Sequence, residues 1–92
     1  MHMPERRAAP RKVFMCRAEI LYGQEQTVSG MIEDRSASGL GIRVPKPLIP
    51  GMPVRVCFRD EMHPAVVKWC VKDQPGFFIG VVFPLNDTAE GI

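Results

Sequence analysis

Two short clusters hold residue types suited to recognition chemistry. The first, Arg7-Ala8-Ala9-Pro10-Arg11, sets two guanidinium groups four residues apart, with another at Arg6 directly before them. A guanidinium is planar, always charged and carries its donors in a fork, so it grips paired acceptors bidentately. The second, Asp34-Arg35-Ser36-Ala37-Ser38-Gly39, gathers a carboxylate, two hydroxyls and a glycine. A carboxylate accepts from two neighbouring N–H groups at once, and an Asp- or Ser-based turn presents backbone donors. Taken singly, each cluster has a plainer reading. Arginines in a tail are commonly solvated charge, and Asp-x-Ser-x-x-Gly often serves only to cap the backbone of a turn.

Other chemistries are poorly provided for. The cysteines Cys16, Cys57 and Cys70 are odd in number and widely spaced, with neither the C-x-x-C pairing of a zinc site nor a disulfide framework. They read as reduced strand residues. Partners for a metal or a nucleophile are scarce, since His2 and His63 are the two histidines of the chain. No nucleophile, base and orienting group fall together, so the expectation is a protein that is not an enzyme and needs no metal or cofactor.

The elements that must position these clusters are strands. Apolar residues nowhere recur at helical spacing over the ten or more positions a helix requires, while β-branched and aromatic residues come in short bursts. Val13 to Tyr22 and Gln26 to Asp34 read as a hairpin, with Gly23 supplying the positive φ of its turn. Leu40, Ile42 and Val44 alternate with Gly41 and Arg43 as a third strand. Pro45, Pro47, Pro50 and Pro53 then enforce a loop. Val54 to Arg59, Ala65 to Lys72 and Phe77 to Phe83 complete six strands, the last apolar on both faces apart from Gly80. On the alternating pattern Trp69 and Phe83 belong to the core. Closure removes sticky edges, so we expect a small six-stranded antiparallel β-barrel over residues 11–84. An N-terminal arm, 1–10, precedes it, and a short tail, 85–92, follows.

A chain of 92 residues fits one core. Its 46% hydrophobic and 24% charged residues are those of a globular domain. With no apolar run near the roughly 20 residues of a membrane helix and no secretory leader, a cytoplasmic location without membrane contact follows as an expectation. Net charge is +2, yet Arg6, Arg7, Arg11, Lys12 and Arg17 crowd the N-terminal end and the last fifteen residues contain no Lys or Arg. Single-stranded nucleic acid is an alternative partner for a basic arm. It would want aromatic platforms among the cations, and that segment offers Phe14 and Tyr22, so we expect no nucleic-acid partner.

Together, the two clusters are more specific than either alone. Arg7 with Arg11, then Asp34, Ser36 and Gly39, followed by Leu40-Gly41-Ile42, a proline-rich turn, Val67-Lys68-Trp69 and Gly80-Val81-Val82-Phe83, closely resemble the bacterial PilZ family over roughly residues 5 to 84. The resemblance implies a six-stranded barrel that binds the second messenger cyclic di-GMP. Its N-terminal arm would wrap over the ligand while the Asp-Ser-Gly turn grips it from the barrel surface. It implies a receptor or adaptor signalling to a partner protein, with Arg6, Arg7, Arg11, Asp34, Ser36 and Gly39 as ligand-binding residues. It also implies that the position of Arg6 influences ligand stoichiometry. An adaptor of the same family that takes no ligand is the other reading.

The chemistry agrees with that resemblance. Guanine offers O6 and N7 on one edge, which an arginine fork matches, and N1–H and N2–H on the other, which a carboxylate such as Asp34 matches. The phosphates suit clustered arginines and backbone N–H groups near Gly39. Gly39 itself would act through its missing Cβ, permitting a turn and a close backbone approach.

Overall fold

The computed structural model describes residues 12–84. The proposed arm 1–10 and tail 85–92, and with them Arg6, Arg7 and Arg11, lie outside the described residues. Six strands follow in order: β1 (Lys12–Tyr22), β2 (Gln26–Arg35), β3 (Gly39–Val44), β4 (Pro53–Phe58), β5 (Glu61–Asp73) and β6 (Gly76–Val82). They close into an antiparallel barrel in the order β1-β2-β3-β6-β5-β4. The all-β barrel expected from the sequence is therefore the observed fold.

Alternation explains the core. Ile20, Ile32, Ile42, Val56 and Ile79 point inward from five different strands and are fully buried, and among the described residues no polar or charged residue is buried with them. Each such aliphatic side chain stabilises the fold by about 1.5–3 kcal/mol through burial. The proline-rich connection between β3 and β4 is held down as well. Leu48 is buried, Gly51 donates to the Val67 carbonyl at 2.7 Å, and Val67 N–H donates to the Met52 carbonyl at 3.0 Å.

Turn chemistry sets the strand ends. Between β1 and β2, Gly23 and Glu25 adopt φ of 59° and 63°, in line with the hairpin expected there. Between β4 and β5, Arg59 and Asp60 both take left-handed φ, 52° and 63°, the pattern of a two-residue primed turn. That tight turn lets β5 begin at Glu61, ahead of the Ala65 start read from the sequence. Pro53 likewise opens β4 rather than ending the loop, because a first strand position tolerates a missing N–H.

Three pairings contain a register irregularity; one lies in β1 between Val13 and Cys16, and the other two set which side chains face out on the wall described below. In the β2–β3 pairing, Ile32 lies opposite Ile42 but Asp34 lies opposite Gly41, leaving Glu33 as an extra residue. In the β5–β6 pairing, Val67 lies opposite Val81 but Trp69 lies opposite Gly80, leaving Lys68 extra. One inserted residue inverts the in-out phase of everything after it. The core placement of Trp69 is thereby corrected: Val67 is buried, whereas Trp69 and Val71 are 37% and 51% exposed. Cys70 turns toward the core in their place, and Phe83 packs partly buried against it as expected.

Candidate functional site

The two bulges aim Asp34 and Trp69 at the same outer wall. Asp34 pairs with Gly41, Gly41 with Gly80 and Gly80 with Trp69, so these residues form one row across β2, β3, β6 and β5. Directly opposed residues share a face, and Gly41 sits between the inward Leu40 and Ile42. The whole row therefore faces outward. Both middle positions lack side chains, and the flanking ones lean into the space. A Cβ built on Gly41 would stand 2.7 Å from Asp34 Oδ1 and 2.8 Å from Phe78 Cζ. One built on Gly80 would overlap the Trp69 indole, with Nε1 at 2.7 Å.

Beside this row runs an ionic brace. Arg43 Nε donates to Glu33 Oε2 at 2.7 Å, Nη2 donates to Asp73 Oδ2 at 3.1 Å, and Nη1 donates to the Asp73 carbonyl at 3.2 Å. The hydrogen bonds it donates to Glu33 and then Asp73 hold the guanidinium above its ordinary pKa, so it stays charged throughout the working pH range. Its carbon lies 5.5 Å from the centroid of the Phe78 ring, within cation–π range. Phe78 in turn meets Trp69 at 5.6 Å with a 41° tilt. The bulged Glu33 thus does two things: it turns Asp34 outward and anchors the arginine that flanks the aromatic pair.

The turn at residues 36–38 closes one end of the wall. Ser36 N–H donates to the Gly39 carbonyl at 3.0 Å, and Phe83 N–H donates to the Ser38 carbonyl at 2.9 Å. Ser38 N–H donates to Ser36 Oγ at 3.3 Å, and the two serine hydroxyls also lie 3.3 Å apart. Ser36 therefore caps its own turn while remaining partly open to solvent. Gly39 lies buried against β6, where a Cβ would overlap the Val81 carbonyl and stand 3.1 Å from Val82 Cα. Its role is the close backbone approach; its φ is not in the left-handed region.

Asp34, Ser36 and Gly39 are thus brought together at the β2–β3 corner. Arg6, Arg7 and Arg11 lie outside the described residues, which begin with β1. Lys12 pairs with Arg35 and Val13 with Asp34, so Arg11 is one residue from a strand that enters beside the motif. Sequence reasoning missed Gly41, Gly80, Phe78, Arg43 and the outward Trp69. Glycines at outward mid-strand positions were the available signal, because such glycines commonly mark a close approach. Among the described residues no three His, Cys, Asp or Glu side chains gather as metal ligands would. The three cysteines, on β1, β4 and β5, are unpaired, and among the described residues no helix is long and apolar enough to cross a membrane.

The structure is thus a closed six-stranded barrel with an acidic-hydroxyl corner, and with Asp34 and Trp69 at the two ends of one outward row. The sequence matches the PilZ domain over residues 5–91, and the chain belongs to the PilZ family. Among solved structures it is similar to the inhibitor of motility (MotI/DgrA) of Bacillus subtilis, with a TM-score of 0.67 at 17% identity. That similarity covers 88% of this chain and 43% of the other, so this chain spans less than half the length of that protein. No curated protein matches.

Proposed function

We propose that this PilZ barrel is a receptor for cyclic di-GMP that binds the ligand between its arginine segment and the β2–β3 corner, without chemistry on it, and passes the bound state to a partner protein. The observation that carries the reading is the register of β1. Val13 lies opposite Asp34, so β1 begins beside the carboxylate, and the proposal brings Arg7 and Arg11, which precede that strand in sequence, to the same corner. Guanine needs donors on its O6/N7 edge and an acceptor on its N1/N2 edge; in this proposal the arginines supply the first and Asp34 the second. Ser36 adds a hydroxyl, and the ligand's anionic phosphates suit Arg6, Arg7 and Arg11. Family membership supports the same reading. In this proposal ligand supplies the free energy that orders the arm over the wall, and the covered surface is what the partner recognises.

Calorimetric titration of the purified chain with cyclic di-GMP, and with GTP as the control, tests it. Each of Arg7→Ala, Arg11→Ala and Asp34→Ala should weaken binding several-fold to over a hundredfold, from about 1–3 kcal/mol per bidentate contact. A folded wild-type chain that ignores cyclic di-GMP, or binds GTP as tightly, overturns the reading. Arg6 can stack on a guanine face and favour a ligand pair, in which case wild type takes two ligands and Arg6→Ala fewer. One ligand per wild-type chain removes that role.

A further inference from the structure

The row Asp34–Gly41–Gly80–Trp69 places two glycines side by side in the middle of the wall, where alternation calls for outward side chains. Mid-strand glycine weakens a strand, since it adds backbone entropy and no packing, so the pair is unexplained by stability. Its neighbours explain it. The spaces where the missing Cβ atoms would lie are already occupied: Asp34 Oδ1 and Phe78 Cζ fill that of Gly41, and the indole fills that of Gly80. In both cases the occupants are side chains, unlike at Gly39, where they are backbone atoms of β6. A methyl group at Gly41 or Gly80 can therefore be accommodated by moving the neighbour, at the expense of that neighbour's position.

We infer that Gly41 and Gly80 are positioning residues of the ligand site. They act by absence, letting the Asp34 carboxylate and the Trp69 indole lie down on the wall at a fixed height relative to each other. The Arg43 brace fixes the third occupant. With its guanidinium held by Glu33 and Asp73 and its carbon 5.5 Å from the Phe78 ring, Phe78 is kept against Gly41 and limits where the carboxylate can go. The inference rests on the cyclic di-GMP reading and adds to it the residues that set the geometry of the acceptor.

The test is calorimetric titration with cyclic di-GMP of wild type, Gly41→Ala, Gly80→Ala, Trp69→Ala and the Gly80→Ala/Trp69→Ala double variant. Melting curves and tryptophan emission are read on the same samples. Gly41→Ala should weaken binding by roughly tenfold or more, as expected when a bidentate acceptor is misplaced. Gly80→Ala should shift the emission of Trp69, the sole tryptophan, and weaken binding while the chain stays folded. In the Trp69→Ala background, Gly80→Ala should cost nothing further, because the group it displaces is gone; that non-additivity separates positioning from general damage. Should Gly80→Ala fail to fold, the double variant relieves the overlap, and it should fold and bind as Trp69→Ala does. Wild-type affinity in both alanine variants, or an additive loss in the double variant, overturns the inference alone. A folded wild type that takes no cyclic di-GMP overturns the functional reading, and this inference with it.

Discussion

Replacing Gly39 with alanine should damage the barrel itself, and the structure allows the damage to be sized. The added Cβ would overlap the Val81 carbonyl oxygen and stand 3.1 Å from both Val81 C and Val82 Cα. Backbone in a paired strand cannot swing aside as a side chain does. The ends of β3 and β6 must therefore part where Gly39 faces Val82 and Leu40 faces Val81. Losing one or two ladder hydrogen bonds costs about 1 kcal/mol each, and residual overpacking adds about 1–3 kcal/mol. The 2.9 Å bond from Phe83 N–H to the Ser38 carbonyl lies on the same seam. A total near 2–5 kcal/mol is large against the roughly 5–15 kcal/mol that holds such a domain together. For a domain of this size it corresponds to a fall of roughly 10–25 °C in Tm. Thermal and urea unfolding followed by circular dichroism, without ligand, measure it. A Gly39→Ala midpoint within about 2 °C of wild type would mean that the close approach is dispensable, and the glycine's role would have to be sought at the ligand.

Three further outcomes follow from the packing. Ile42→Ala, at a fully buried centre of β3, should lose about 2–5 kcal/mol in urea unfolding; a loss under about 1 kcal/mol would put Ile42 outside the core. Arg43→Gln leaves Glu33 and Asp73 without their shared cation. Its Tm should fall, and the deficit should shrink in about 1 M salt, where screening acts within about 3 Å; an equal deficit at both salts would assign Arg43's role to packing on Phe78. Asp60→Gly relieves a left-handed φ of 63° and should raise stability by about 0.5 kcal/mol, the left-handed penalty less the entropy of glycine; destabilisation in urea would show that the aspartate side chain holds the turn.

Strands were legible because barrel walls have one dry face and one wet one, so Val54, Val56 and Phe58 must alternate with Arg55 and Cys57. The Asp-x-Ser-x-x-Gly cluster was legible because its geometry is local: a few residues make the turn. Bulges are not local in that sense. Lys68 is extra because β6 pairs around it, and nothing in its own residue type announces this. The unbroken alternation Ala65, Val67, Trp69, Val71 therefore pointed the indole inward, whereas the pairing turned it out. Glu33 was passed over for a related reason. Its partner Arg43 is ten residues away and Asp73 thirty further, a brace that exists only once β2, β3 and the end of β5 have met.

The bulges also account for how a barrel this small carries a site at all. Among the described residues its interior holds aliphatic side chains and Phe58 and no buried polar or charged residue, so the proposed ligand site lies on the outer wall. There each strand offers only alternate positions. In strict alternation Asp34 follows Ile32 into the core, and Trp69 follows Val67; a buried unpaired carboxylate would be costly, and the indole would overfill the space. One inserted residue in each strand, Glu33 and Lys68, inverts the phase at the point where the core residues end. The same backbone irregularities therefore protect the core from two unsuitable side chains and deliver them to one outward row, where the glycines between them leave room for both to lie flat.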